Sequence, residues 1–338
     1  MKIIVPMAGR GSRLRPHTLT TPKPLLKVAG KPIVQRLVEN IIQVCDQKIS
    51  EIAFIIGDFG QEVELQLLEI AKKLNAVGKI YYQKNPLGTA HAILCAQESL
   101  DDNCVIAFAD TLFFADFKLE NNADGIIWVN KIEDPSSFGV VKLNKRNEIA
   151  DFVEKPQTFV SDLAIIGIYY FKNGSNLKDE LQFLLDNNIK EKGEFQLTSA
   201  LENMKNKGSI FVPGNVSKWM DCGNKNATVL TNKEILDKEK TIISNSSQLI
   251  NSELIDPCYI GDGVIIKNST IGPHVSIGKD SDINGCVIKN SIIQEDSNLK
   301  DVNVKNSMIG SHVNFTSNNI EHELSLGDFS QIAVTDEE

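Results

Sequence analysis

The sequence predicts an α/β sandwich around a mixed sheet, followed by a short left-handed parallel β-helix. Three observations carry that expectation. Apolar runs of four to seven residues alternate with helix-period stretches up to about residue 240. Four strand-like runs between residues 125 and 171 are joined by short turns only. After about residue 245 a six-residue period takes over.

The elements follow in order. "KIIV" (2–5), "IAFIIG" (52–57) and "CVIAFA" (104–109) read as strands buried on both faces, because they are apolar without alternation. "PIVQRLVENIIQVC", "VELQLLEIAKKL" and "TAHAILCAQESL" read as amphipathic helices between or after them. Such alternation builds a mostly parallel sheet, and ligands collect at the C-terminal ends of its strands. "GIIWVN", "GVVKL", "IADFVEK" and "AIIGIYYF" predict an antiparallel extension of that sheet, and "TNKEILDKEK" (231–240) a terminal helix. Beyond it, Ile271, Ile277 and Ile283 are evenly spaced, with Val275, Ser281 and Val287 four residues behind each. A hexapeptide of an aliphatic and a small residue forms one side of a triangular coil. Asn-Ser recurs at 251, 268, 290 and 306, spacings that bracket the roughly 18 residues a coil needs, so about four coils fit before residue 315. The expected organisation is a domain over 1–240, a β-helix over 245–315 and a polar, acidic tail over 316–338.

Composition narrows the function. The 338 residues, 42% hydrophobic and 23% charged, suit about two globular domains. A formal net charge of -9 offers no general pull towards nucleic acid or anionic membrane, so neither partner is expected, and a bound anion needs a local cationic site. Six cysteines stand singly, with no CxxC pair, which predicts reduced thiols and a cytoplasmic protein. "MKIIVPMAG" is too short for the apolar core of a signal peptide, and no later run approaches a membrane span.

The local cationic site directly follows the first strand. "MAGRGSRLRPHTLTTPKPL" (7–25) holds two glycines, three arginines, three prolines and one lysine. Glycines at 9 and 11 bring backbone N–H groups close to a ligand, and the arginines supply fixed charge, a combination suited to an oligophosphate. The loop is neither a P-loop, since GxxxxGK[ST] is absent, nor the dinucleotide fingerprint GxGxxG, which needs glycine where Leu14 stands. Pro22 and Pro24 pin Lys23 between them.

This stretch resembles the signature of the sugar-phosphate nucleotidylyltransferases, roughly AGGxGTRLxPxTxxxPK. The resemblance implies a Rossmann-like, GT-A-like nucleotidyltransferase domain over 1–240 with an appended β-helix. It further implies that Ala8, Gly9, Gly11, Ser12 and Arg13 surround the nucleotide, with Arg13 on the departing pyrophosphate, and that Lys23 bridges the reacting phosphates. Met7 stands where the family usually has alanine, and Ser12 replaces threonine. "QKNPLGTAHAI" (83–93) resembles the base-binding turn, with Gln83, Gly88 and Thr89 at the nucleotide. "CVIAFAD" ends in Asp110, and "WMDCGN" (219–224) resembles WxDxGT with Asn224 for threonine; Asp110 and Asp221 are the implied metal ligands. Two carboxylates with substrate phosphates suit Mg²⁺. On the sugar side, "FGVV", "FVEKP" and "AIIGIYYF" place Gly139, Glu154 and Lys155 at the sugar phosphate together with Lys23, with Ile166 where thymidylyltransferases usually carry threonine.

The implied reaction is attack of a hexose 1-phosphate on an NTP, dTTP or UTP, giving a nucleotide sugar and pyrophosphate, with Arg13, Lys23, Asp110 and Asp221 as the catalytic set. An anionic nucleophile requires no general base, which agrees with histidines scattered without carboxylate or serine partners in the sequence. The rival readings are a bifunctional enzyme with acetyl transfer on the β-helix, using His274 or His312, and a non-catalytic nucleotide-sugar regulator. A β-helix presents open ends and flat faces that are usually covered, which predicts a homo-oligomer.

Overall fold

The computed structural model describes residues 1–45, 47–115 and 123–334. They form two compact units, one of Met1–Gly9 with Leu37–Trp219, the other of Arg10–Arg36 with the chain from Met220 onward. Residues 10–36, which the sequence alone assigns with 1–240, therefore group with the C-terminal part of the chain.

In the first unit a mixed sheet of nine strands runs through the described residues. Lys2–Pro6 lies between Glu51–Ile56 and Cys104–Ala107 and parallel to both, with Ile3, Ile4 and Val5 fully buried. Val77–Tyr82 adds a parallel edge strand, half exposed and without the apolar run that marks the others. On the other side Cys104–Ala107 meets the antiparallel extension: Leu163–Phe171, then Gly139–Leu143 and Ile149–Glu154, with Gly125–Lys131 and Phe211–Asn215 alongside. Helices Gln61–Lys73, Thr89–Leu94, Gly174–Asp186 and Leu197–Asn206 join the same unit. Asn173 caps the third of these, its side chain accepting from the amides of Ser175 and Asn176 at 2.9 and 3.2 Å. Ile4, Ile55, Ile93, Phe171, Leu181 and Leu201 are fully buried in one core. Leu163–Phe171 slips register between Ile165 and Tyr169, and Gly167 inside the slip takes φ 84°, which glycine adopts without steric cost. Ile166 is buried within that irregularity.

In the second unit, Arg10–Arg36 is built from three 3₁₀ turns, Ser12–Leu14, His17–Leu19 and Lys23–Leu25, and the two-residue hairpin strands Lys27–Val28 and Lys31–Pro32. Helix Lys225–Glu239 starts from Asn224, whose side chain accepts from the Ala227 amide at 3.0 Å. Asparagine in place of threonine thus keeps the capping function of "GN". Three stacks of short parallel strands follow, of six, six and five strands, opening with Ile242–Ile243, Gln248–Ile250 and Glu253–Leu254. They form the three faces of the β-helix that the hexapeptide pattern predicts. The register advances by 17 residues from Ile242 to Tyr259 and by 16 from Ser276 to Ile292, somewhat tighter than the 18 expected. Strands Glu321–His322, Ser325–Leu326 and Gln331–Ala333 continue the stacks, so the segment read as a tail from 316 carries a further coil; residues 335–338 lie outside the described residues.

The Asn-Ser repeat has a physical cause. Asn251, Asn268, Asn290 and Asn306 all sit at corners with φ between 41° and 49°, the left-handed region that asparagine tolerates. Their amides stack, Asn251 donating to Asn268 at 2.8 Å and Asn290 to Asn306 at 2.7 Å. The serine beside each asparagine takes the amide of the next coil, Cys286 to Ser269 at 2.9 Å and Ser307 to Ser291 at 3.0 Å. Without them the corners would leave buried N–H groups unpaired.

His17 is almost fully buried, and burial pushes its pKa down to about 4, against the opposing pull of Asp328. A neutral histidine in the fold that protonates near 6.5 when unfolded stabilises the protein fully above that pH and progressively less as pH falls towards 4. Comparing wild type with His17→Gln in urea melts at pH 7 and pH 4 should show about 3 kcal/mol of acid sensitivity lost in the variant. An equal pH slope in both proteins would contradict the burial of a neutral imidazole.

Candidate functional site

The loop that follows the first strand is folded against itself. Gly11 has φ 61°, and a Cβ there would stand 2.9 Å from the Lys23 Cβ and 3.2 Å from a Thr18 methyl. Only glycine allows that approach. The Gly11 carbonyl accepts from the Thr18 hydroxyl and the Leu14 amide, at 2.8 and 2.9 Å, which closes the turn carrying Ser12 and Arg13. Lys23 is thereby held buried. Gly9 differs: a Cβ at that position would meet no atom within 4 Å. Nothing inside the protein demands glycine there, and the open space lets a ligand reach the backbone.

Asp221 closes the same unit's contribution. Its Oδ1 accepts from the Gly223 amide at 2.9 Å, and a Cβ on Gly223 would press on that carboxylate at 2.9–3.0 Å. The glycine of "DCG" is there for the aspartate. The Thr231 hydroxyl holds the Asp221 carbonyl from the following helix at 2.8 Å.

The first unit gathers the remaining predicted residues into two clusters. In one, the Gln83 side-chain amide donates to the Gly88 carbonyl at 3.2 Å and to His91 Nδ1 at 3.1 Å. Both bonds engage the donor end of the Gln83 side chain. Burial lowers the His91 pKa, which keeps Nδ1 an acceptor. Gly88 has φ 118°, and a Cβ would collide with the Phe195 backbone at 2.4 Å, so this glycine answers to the protein before any ligand. The Thr89 hydroxyl donates to Gln196 at 3.1 Å and accepts from the Leu197 amide at 2.9 Å, fastening the start of its helix.

In the other cluster Glu154, only 10% exposed in its side chain, accepts from the Thr198 hydroxyl at 3.1 Å and stands 3.6 Å from the Lys155 ammonium. A Cβ on Gly139 would come 3.1 Å from the Glu154 carboxylate. Lys155 takes φ 42°, and the Lys192 ammonium bonds its carbonyl at 2.5 Å. Tyr169 escapes sequence reasoning because it reads as one more core aromatic. It is buried, and burial together with the Glu154 and Asp110 charges raises its pKa, so it stays a neutral phenol. Tyr169 therefore lies within the field of both Glu154 and Asp110. His91 was equally invisible, since its role depends on Gln83 turning back towards it.

Among the described residues no three His, Cys, Asp or Glu side chains converge as a protein-only metal site. Asp110, half-buried beyond its strand, belongs to the first unit and Asp221 to the second; each carries a hard oxygen donor. None of the six cysteines forms a disulfide, and burial pushes the Cys104 thiol up to about 12 and those of Cys258 and Cys286 up to about 11.

Residues 2–238 match the model of the nucleotidyl transferase family. The chain is 30% identical over 325 residues to a glucose-1-phosphate thymidylyltransferase of Streptomyces antibioticus, with 88% of each chain covered. It is also 30% identical over 277 residues to the bifunctional protein GlmU of Methanococcus maripaludis, matching 79% of this chain but only 62% of that longer protein. A UDP-glucose pyrophosphorylase solved with UDP-glucose shares the fold over 70% of this chain and 98% of its own, at a TM-score of 0.56 and 21% identity.

The two glycines of the loop should respond differently to a methyl group. Gly11→Ala forces both φ and the Lys23 contact and should cost about 1–3 kcal/mol, read as a lower melting temperature. Gly9→Ala should leave the melting temperature unchanged; a matching loss in both would show that Gly9 also packs against protein.

Proposed function

We propose that this chain, which belongs to the nucleotidyl transferase family, transfers the nucleotidyl group of dTTP or UTP to a hexose 1-phosphate, glucose 1-phosphate first among them. The observation that supports this reading best is the signature loop. It pins a buried Lys23 against Gly11 and leaves open space at Gly9, as a cradle for phosphates needs. In this reading a phosphate oxygen of the sugar 1-phosphate attacks the α-phosphorus in line and pyrophosphate leaves. The attacking group is already an anion, so the protein supplies charge and alignment in place of a base. Arg13 takes the departing pyrophosphate and Lys23 the reacting phosphates. Lys155 pairs with the sugar phosphate and Glu154 accepts from sugar hydroxyls. The family's reactions generally use a divalent metal, and we assign Mg²⁺, held by Asp110 and Asp221; bound there it would neutralise phosphate charge.

Gln83 suggests the base. Thymine and uracil carry an N3–H donor that suits its Oε1, while cytosine presents an acceptor at N3 and would repel it. Thymine differs from uracil by one methyl, about 0.8 kcal/mol when buried, so both should serve. The β-helix has no second reaction in this reading. Contrary to the sequence expectation, His274 and His312 both have carboxylate neighbours: His312 Nδ1 lies 4.0 Å from Asp296, its ring stacked on Phe329, and His274 donates to Asp237 at 2.8 Å; both occupy corners with positive φ. Asp237 was hidden because it lies 37 residues away on a helix. Among the described residues no helix is long and apolar enough to cross a membrane. From the singly spaced thiols we propose a cytoplasmic protein, and from the flat faces of the β-helix a homo-oligomer.

Pyrophosphate release across dTTP, UTP, CTP, GTP and ATP with several sugar 1-phosphates tests the reading. The specificity constants for dTTP and UTP should lie within about tenfold, with CTP and the purines well below. Asp110→Asn and Asp221→Asn should each abolish metal-dependent turnover, and Lys23→Ala should lower it about a hundredfold or more. Near wild-type rates in these variants, or a preference for GTP, would contradict the assignment. Acetyl transfer from acetyl-CoA to an amino-sugar phosphate at a comparable rate would establish the bifunctional reading instead.

A further inference from the structure

Fixed cations need a stiff support, and Arg10–Arg36 has little regular structure to provide one. Its residues between Arg13 and Lys23 rest on the last coil of the β-helix. The Thr20 hydroxyl donates to Asp328 Oδ2 at 2.5 Å, and Thr21 approaches the same oxygen at 3.4 Å. His17 Nε2 meets the Ser325 hydroxyl at 3.1 Å. Pro16 lies so close over Gly327 that a Cβ on that glycine would come 2.9 Å from the proline Cβ. Asp328 is itself fixed, its Oδ1 accepting from the Ser311 amide one coil earlier at 2.8 Å. Beyond Lys23 the pattern continues: Lys27 pairs with Glu295, and its carbonyl accepts from the Gln294 amide at 3.1 Å. The partners are 267 to 308 positions apart in the chain.

We infer that the terminal coils of the β-helix are the mount of the signature loop, and that Asp328 and Ser325 are positioning residues for Arg13 and Lys23. The inference rests on the reading that this loop handles the NTP phosphates. A single hydrogen bond at the rim contributes little to stability, so removing one leaves the fold in place. Alignment is less forgiving, because a displacement on the order of 1 Å can cost about a hundredfold in rate. The mount therefore acts on chemistry more than on folding.

The test is a double-mutant cycle in the full chain between Thr20→Val and Asp328→Ala, with Asp328→Asn as the conservative variant. Kinetics are measured for dTTP and for glucose 1-phosphate, alongside thermal melts. Asp328→Ala should lower kcat about tenfold and leave the KM values for dTTP and glucose 1-phosphate within about twofold, because Lys23 handles the reacting phosphates of both substrates and its misplacement acts on alignment. The double variant should be no worse than Asp328→Ala alone. Asp328→Asn should recover most of the activity, because its Oδ1 keeps the Ser311 amide and its NH₂ can donate to a threonine hydroxyl turned to accept. Unchanged kcat in Asp328→Ala, additive losses in the cycle, or raised KM values with kcat intact would overturn the mount. Should Asp328→Ala fail to fold, Thr20→Val with Thr21→Val, on the loop side, reads the same support, and unchanged kcat there overturns it equally. Lys23→Ala in parallel separates the two levels: its loss of turnover beside an unaffected Asp328→Ala refutes the mount alone, whereas full turnover in Lys23→Ala refutes the reading of the loop itself.

Discussion

The approach of Lys23 to Gly11 is the constraint on which the folding of the signature loop depends. A lysine left to itself samples many rotamers and keeps its ammonium in water. Here the missing side chain at Gly11 lets the lysine stem lie against the chain, and the Thr18 hydroxyl bonds the Gly11 carbonyl from the other side. The flanking prolines remove backbone freedom that would otherwise have to be lost on binding. The charge is thus placed before any substrate arrives, which is the condition under which an electrostatic contribution favours the transition state over the resting complex.

Much of this was legible in the sequence, for identifiable reasons. Strands such as Lys2–Pro6 are apolar on both faces, so their burial is written in every residue. The hexapeptide period is a local signal, and Ile271, Ile277 and Ile283 are all fully buried as it requires. Glycine and asparagine at special positions also show, because few residues tolerate positive φ. Coil length was less legible, since a corner built from a left-handed asparagine and a serine that takes the next coil's amide needs fewer residues than the ideal triangle. The final coil was hidden by composition: "HELSLGDFS" has the polarity of a tail because its strands are short and largely exposed. Val77–Tyr82 escaped for the same reason, as an edge strand with half of its surface in water.

Pairings between distant residues were not legible at all. Nothing near Gln83 announces that His91 will accept from its amide, and nothing near His274 announces Asp237. Tyr169 is written as an aromatic in an apolar strand, and only the fold shows Glu154 and Asp110 acting on its hydroxyl. In each case the residue type was visible and the partner was not. Sequence motifs therefore name the groups that face a substrate more readily than the groups that orient them.

That distinction bears on what a β-helix contributes. Each coil hydrogen-bonds to the next along three faces, and the asparagine and serine ladders repeat the restraint at the corners. Such a stack resists shear because sliding one coil would break a whole row of bonds together. A loop of 3₁₀ turns has no comparable row, since its few internal bonds close single turns. Fastening Pro16, His17 and Thr20 to Gly327, Ser325 and Asp328 transfers the stiffness of the stack to the segment between the two cations. On the mount we infer, the β-helix would serve the chemistry through the loop: it would narrow the positions that Arg13 and Lys23 can adopt, and a reaction driven by alignment and charge gains from such narrowing directly.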